Sequence, residues 1–176
     1  MRERTLLRAA QRGDPDAFVE LVERHDRGFR ALAYRLLNDR DAVDDVLQEA
    51  YVKAYVALPR FRGDSSVRTW LYRIVYHACL DELERRPEPH AEPDVEIADW
   101  RPDPSDVVAE RTRLAAALAR LEPAERTVVL LVDAEGLTYE EAANVTGVPA
   151  GTIGSRLSRA RNALRRALRD PEGVSR

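Results

Sequence analysis

The 176 residues are enough for one ordinary domain or two small ones. With 34% charged and 6% aromatic residues the composition suits a soluble, helix-rich chain, and a net charge of −3 excludes a uniformly basic nucleic-acid coat. Cys79 is the only cysteine, which excludes a disulfide framework and a cysteine cluster for zinc. No apolar run approaches membrane-spanning length, so membrane insertion is not expected. The start, MRERTLLRAAQRGD, is too charged for a signal peptide, and the cytoplasm is the expected compartment.

In chain order, Thr5 to Gln11 reads as a short helix closed by Gly13. Asp14-Pro15 is a start signal, an N-cap with proline at the first helical position. Phe18, Leu21, Val22, His25, Phe29, Leu32, Ala33 and Leu36 then trace one face of a single long helix. His25 on that face reads as a packed histidine rather than a ligand. After a turn at residues 38–41, a helix runs from Ala42 to Leu58, with Val43, Val46, Leu47, Ala50, Ala54 and Leu58 inward and Pro59 stopping it. Asp64 or Ser65 caps the next helix, Val67 to Arg85, whose inward set is Trp70, Leu71, Ile74, Val75, Ala78 and Leu83.

The composition then shifts. Residues 87–106 hold five prolines and seven acidic residues against one arginine, and no periodicity survives. This is an extended acidic linker and a domain boundary. Trp100 within it is out of place in a plain tether. Helix returns at Val107, with Val107, Leu114, Leu118 and Leu121 inward, and again from Ala124 to Ala134. The expected fold is all-α: two small helical domains, 1–86 and 107–176, joined by the linker 87–106.

Leu137 to Arg169 carries the strongest local signal. Thr138 and Glu141 make a capping box for a helix starting at Tyr139. Gly147 turns the chain and Pro149 suits the start of a second helix. There Ile153, Leu157, Ala160, Leu164 and Leu168 form an apolar stripe, while six arginines and no acidic residue fill the rest from Ala150 to Arg169. A short helix, a glycine turn and an arginine-loaded helix make a helix-turn-helix, whose second helix enters the major groove. A solvated basic face on an ordinary hairpin is the plainer alternative.

No glycine-rich phosphate loop, metal-spaced histidine pair or Ser/His/Asp grouping is present, so neither enzyme activity, a cofactor nor a metal site is expected. Asp44, Asp45 and Glu49 are the densest acidic cluster of the first domain and suit a partner-binding face better than acid–base chemistry. Around the fourth helix Arg60, Arg62, Arg68 and Arg73 alternate with Phe61, Trp70, Tyr72 and Tyr76. Such interleaving suits single-stranded nucleic acid, where aromatic faces stack unpaired bases. Part of the set is equally well explained as core.

DVLQEAYVKAY from Asp45 to Tyr55, FRGDS from Phe61 to Ser65 and TWLYRI from Thr69 to Ile74 together resemble region 2 of bacterial sigma factors. LTYEEAA from Leu137 to Ala143, then Val148-Pro149, Gly151 to Ile153 and SRLSRAR from Ser155 to Arg161, resemble region 4. Two such regions and a linker are the layout of the extracytoplasmic-function (ECF) group, and the resemblance covers nearly the whole chain. It implies that Asp45, Gln48, Glu49, Val52 and Lys53 dock on the clamp helices of the largest subunit of core RNA polymerase. It also implies that Phe61, Arg62, Ser65, Trp70, Arg73, His77 and Asp81 open the −10 element and hold single-stranded DNA. Thr152, Ser155, Arg156, Ser158 and Arg159 would read the −35 duplex.

Further implied partners are the flap of the second-largest polymerase subunit and an anti-sigma factor. Three positions depart from the family pattern. His77 stands where asparagine is frequent, Asp81 is acidic at a position that faces DNA, and Gly154 removes a possible base contact. The alternatives are a stand-alone helix-turn-helix regulator, which would bind duplex tightly without polymerase, and a helical adaptor that binds protein only.

Overall fold

The computed structural model describes residues 3–86 and 105–169. Among them the chain is helical, with no strand: α1 (Glu3–Gln11), α2 (Pro15–Glu23), α3 (Asp26–Leu37), α4 (Arg40–Ala57), α5 (Val67–Arg85), α6 (Ser105–Ala119), α7 (Pro123–Val129), α8 (Tyr139–Thr146) and α9 (Ala150–Arg169). A 3-10 turn at Leu58–Arg60 follows α4, and a π-helical turn at Leu130–Ala134 continues α7. The expected linker lies outside the described residues as far as residue 104, and Trp100 with it. Its last two positions, Ser105 and Asp106, already belong to α6.

The helices start where the sequence supplies a cap. The Asp14 carboxylate accepts from the amides of Asp16 and Ala17, and Asp39 does the same for Asp41 and Ala42. Asp39 is held below its ordinary pKa, chiefly by the bond from the Ala42 amide. Thr138 and Glu141 close a reciprocal capping box on α8, and Gly147 ends that helix at φ 75°.

Four expectations are corrected. The single helix from residue 15 to 36 is two helices broken at Arg24–His25. The apolar stripe keeps its phase across the break, so periodicity cannot see it, and the mark is the ionisable run from Glu23 to Arg27. The cap of α5 is Ser66, whose hydroxyl accepts from the Thr69 amide at 3.0 Å, and neither Asp64 nor Ser65. The helix from Ala124 to Ala134 widens after Val129 into the π turn, where the Glu135 amide reaches Leu130 five residues back. Leu83, Leu114 and Leu168 are 39%, 42% and 38% exposed rather than inward. Leu83 and Leu168 sit in the last turns of α5 and α9.

The first lobe packs α3 and α5 at its centre. Phe29 meets the Tyr72 ring edge-on at 4.7 Å, with Leu32, Leu47 and Leu71 fully buried around them. Each such side chain contributes about 1.5–3 kcal/mol by leaving water. His25 packs on Phe29 as expected, and burial lowers its pKa. In the second lobe Leu131, Val145, Ile153, Leu157 and Ala160 are buried where α7, α8 and α9 converge. The apolar core runs without interruption from one lobe to the other, because α8 packs along α5.

Arg126 ties off the end of α6. Its guanidinium donates to the carbonyls of Leu118 (2.9 Å), Ala119 (2.6 Å) and Leu121 (3.1 Å), and reaches Arg35 of α3 at 3.3 Å. The Leu118 and Ala119 carbonyls belong to the last turn of α6, where intrahelical donors run out, and Leu118 also accepts from the Leu121 amide. Arg126→Met keeps the stem and strands the acceptors. Urea denaturation is expected to show a loss of about 2–4 kcal/mol, since bonds from a charged donor contribute about 1.5–3 kcal/mol each and are not additive.

Candidate functional site

Three surfaces carry the candidate residues. The first is the outer face of α4. Its inner stripe is consumed by the core, yet the helix has a second apolar set facing out: Val52 is 60% exposed, Val56 72% and Tyr55 39%. With Phe18 and Val19 of α2, and with Leu47, Gln48 and Tyr51, Val52 and Tyr55 line an open groove of about 590 Å³. Phe18 and Tyr55 meet edge-on at 5.2 Å in its floor. Arg30 and Asp44 stand at the rim, paired to each other.

Of the expected docking residues, Asp45, Gln48, Val52 and Lys53 are exposed and Glu49 is half-buried, and only Gln48 and Val52 line the groove. Glu49 and Lys53 belong to a charge network along its back. Lys53 bonds Glu49 at 2.9 Å and Asp81 at 3.4 Å, and Arg85 bonds Glu49 at 3.1 Å. Lys53 first and Arg85 second hold the Glu49 carboxyl below its ordinary pKa. The acidic cluster of Asp44, Asp45 and Glu49 is therefore divided, with Asp44 given to Arg30 and Glu49 to Lys53 and Arg85. Among the described residues no three His, Cys, Asp or Glu side chains could hold a metal.

The second surface is α5 with the loop before it. Gln11 of α1 donates to the Phe61 carbonyl at 3.0 Å and fixes the loop. Phe61 lies against Trp70, ring centroids 5.0 Å apart and planes at 39°. Both rings are half-buried, as is Ser65, while Arg62, Arg73, His77 and Asp81 are exposed. Trp70, Arg73, His77 and Asp81, spaced by three and four, share one side of α5. His77 Nδ1 lies 2.7 Å from the Arg73 carbonyl, and Asp81 is partnered by Lys53.

The interleaved set is smaller than the sequence suggests. Tyr72 is 1% exposed, inside the core, and offers no free face, while Tyr76 is half-buried. Burial raises the pKa of both hydroxyls. Arg68 turns away from the loop, lies over the Tyr72 ring at 5.5 Å and is engaged by Glu135 of the second lobe.

The third surface is the helix-turn-helix, α8 and α9. Burial of Ile153, Leu157 and Ala160 leaves Ser155, Ser158 and Arg159 exposed, with Thr152 and Arg156 half-buried. Arg159 bonds Glu125 of α7 at 2.8 Å. Arg156 is close enough to Tyr76 of α5 for its charge to lower that hydroxyl's pKa against the larger effect of burial. Gly154 sits under Tyr139: a Cβ there would lie 3.4 Å from the ring. Arg161 is taken by Asp133.

Sequence reasoning missed Val19, Tyr55 and Val56. Their signal is the second apolar stripe of α4, at 52, 55 and 56, on a helix whose other side already accounts for the core. It also missed the pairing of Glu135 with Arg68, for which no local signal exists.

Comparison with known proteins agrees with this layout. The sigma-70 region 2 family model matches residues 21–87, and a sigma-70 region 4 model matches residues 111–164. The chain is 38% identical to the ECF RNA polymerase sigma factor SigM of Mycobacterium tuberculosis, covering 93% of this chain and 83% of SigM. It is 35% identical to the RNA polymerase sigma-H factor of Pseudomonas aeruginosa, covering 94% and 93%. Among solved structures it resembles CnrH in complex with the cytosolic domain of CnrY, at TM-score 0.73 and 30% identity over 95% of this chain and 97% of that one. It also resembles the sigma factor RpoE in complex with the anti-sigma factor NepR from Bartonella quintana, at TM-score 0.75 and 27% identity over 88% and 98%. Such identity over nearly the full length, with both sigma-70 regions in their order, means that this chain belongs to the ECF sigma factors of RNA polymerase, non-enzymatic factors of transcription initiation.

Proposed function

We propose that this sigma factor docks on core polymerase through the outer face of α4, opens the −10 element with the loop and outer side of α5, and reads the −35 element with α9. Residues 1–86 would be the core- and −10-binding unit, 87–106 an acidic linker into the polymerase cleft, and 107–176 the −35-binding unit. In this reading Gln48 and Val52 meet the clamp helices of the largest subunit, while Asp45, Glu49 and Lys53 flank them. Phe61 and Trp70 stack on single-stranded −10 DNA, with Arg62 and Arg73 on phosphate and Ser65, His77 and Asp81 at the pocket edge. Thr152, Ser155, Arg156, Ser158 and Arg159 face the −35 major groove, and Arg165, Arg166 and Arg169 in the last turns of α9 are placed for DNA phosphate or for the polymerase flap.

The observation that carries the reading is α9, a 20-residue helix without one acidic side chain, held by its apolar stripe on a capped, glycine-turned partner. No helix among the described residues is long and apolar enough to cross a membrane, and polymerase and promoter are in the cytoplasm, where the factor would act. An anti-sigma factor is the proposed inhibitor, supported by the relatives whose structures contain one.

Run-off transcription with purified core polymerase on genomic fragments tests the assignment. Discrete products are expected only when the factor and core are both present. Tight duplex binding without polymerase, and no product with it, would instead identify a stand-alone regulator.

The promoters recovered in this way allow a sharper test of α9. Arg156→Ala and Arg159→Ala are each expected to weaken binding to the −35 duplex by about 1–3 kcal/mol and to bind a scrambled duplex nearly as well as the wild type. Arg169→Ala is expected to weaken both duplexes alike and to shrink the log–log salt slope by about one. Fluorescence anisotropy at several salt concentrations separates these cases. Equal losses on both duplexes for Arg156→Ala and Arg159→Ala would make them positioning residues only.

A further inference from the structure

Helix α1 has no part in the −10 assignment, yet its last residue reaches the loop before α5. The seating of α1 on the first lobe is accounted for by Leu6 and Ala10, 0% and 2% exposed. Gln11 lies off that stripe and is half-buried. Its Nε2 donates to the Phe61 carbonyl at 3.0 Å and to the Leu58 carbonyl at 3.4 Å, across 50 and 47 residues of sequence. The amide nitrogen carries two N–H groups, so both bonds form together. Both partners are acceptors, which sets the orientation of the amide.

The segment held in this way is fixed at both ends. Leu58–Arg60 is a 3-10 turn that includes Pro59, closed by the bond from the Phe61 amide to the Leu58 carbonyl at 3.0 Å. Leu58 itself is fully buried. At the far end the Ser66 hydroxyl caps α5. Between these points Gly63 turns the chain at φ 81°, a conformation that glycine adopts without strain. Gln11 grips the main chain at Phe61, where the loop begins, and leaves the ring to lie against Trp70. A loop ordered beforehand does not have to be ordered when a ligand arrives, and binding is stronger by that difference.

We infer that Gln11 is a positioning residue for promoter opening: its amide holds the main chain of the loop so that Phe61 and Trp70 stand as one platform before DNA arrives. Helix α1 thereby belongs to the −10 machinery, acting through Phe61 and not by touching DNA. The inference rests on the −10 assignment of that loop.

The test uses holoenzyme assembled from the full-length factor and core polymerase on a promoter recovered by run-off transcription. Gln11→Glu keeps the size of the side chain and replaces its donors with a carboxylate that only accepts. Gln11→Met keeps the length and removes the polarity. Permanganate reactivity of unpaired −10 thymines reads the rate of opening. Both variants are expected to slow opening by about 3- to 10-fold, the effect of one or two hydrogen bonds, with Gln11→Glu the slower. Co-purification with core, the melting temperature of the free factor and transcription from a template with mismatched −10 strands are expected to stay at the wild-type level. In a Phe61→Ala background Gln11→Glu is expected to add little, because residues that act through one another are not additive.

Normal opening by Gln11→Glu, with opening impaired in Phe61→Ala, overturns the inference and leaves the −10 assignment standing. An equal loss on duplex and mismatched templates, with a lower melting temperature, makes Gln11 a packing residue of α1 and overturns it as well. A full additional loss in the Phe61→Ala background overturns action through Phe61. Normal opening by Phe61→Ala alone removes the −10 assignment of the loop, and the inference with it.

Discussion

Val52→Asp is expected to abolish co-purification with core polymerase while the factor stays folded. Val52 is 60% exposed and contributes little to the core, so the substitution should cost the fold no more than about 0.5 kcal/mol. At an interface the same change is severe. A carboxylate would stand in the apolar groove beside Tyr51 and Tyr55 and would be desolvated by any partner that covers it. Central interface residues of this kind cost about 2 kcal/mol or more on truncation, a loss of at least about 30-fold, and a buried unpaired charge adds to it. Gln48→Ala with Glu49→Lys is expected to fail as well by a different route. The new lysine would face Lys53 and Arg85 without the carboxylate that now bonds both. Pull-down with core polymerase, alongside thermal melts by circular dichroism, is the measurement. Normal co-purification of folded Val52→Asp would remove the groove from the polymerase interface.

The parts of the fold legible in the sequence are those decided locally. Asp14, Thr138 with Glu141, and Gly147 each act within four residues of themselves, and each occupies the position its chemistry indicates; Asp39 caps α4 two residues before the start expected at Ala42. The stripe of α9 was readable because its buried side needs only 3.6-residue spacing. The break at Arg24–His25 was not, since two helices in phase give the same pattern as one. The π turn was invisible for a related reason: Leu130 and Leu131 are buried in either geometry. The difference is one extra residue in the turn, shown by the bond from the Glu135 amide to the Leu130 carbonyl.

The candidate surfaces divide along the same line. The basic face of α9 announces itself by the absence of acids over twenty positions. The groove of α4 was half legible. Gln48 and Glu49 stand out as polar residues, whereas the apolar residues around them look like more core until the core is seen to be full. Tyr72 shows the converse error. It alternates with arginines in sequence, but α5 is packed by α3 and α4 on one side and by α8 on another, and that leaves an aromatic at position 72 no open face. Pairings such as Arg68 with Glu135, or Arg126 with the Arg35 carbonyl, join residues far apart in the chain, and only the folded arrangement brings them together.

Trp70→Ala is expected to lower transcription from a duplex promoter by about 5- to 150-fold, corresponding to the roughly 1–3 kcal/mol that one base stacked on an aromatic ring contributes. The geometry gives this ring two roles, and the experiment has to separate them. Trp70 leans on Phe61, so its removal also loosens the loop that Gln11 fixes. Stacking on a flipped base matters most while the duplex is being opened, because separating base steps costs a few kcal/mol. A template with the −10 strands already mismatched supplies that opening beforehand. The loss caused by Trp70→Ala should therefore shrink markedly on the mismatched template if the ring stabilises the melted strand. Phe61→Ala should follow it at smaller amplitude, as the ring that supports Trp70. Arg73→Ala should weaken both templates alike, since a phosphate contact is made in either. If Trp70→Ala instead loses the same factor on both templates and lowers the melting temperature of the free factor, its ring belongs to the packing of α5 alone. The single-stranded contact would then have to be sought among Arg62, His77 and Asp81.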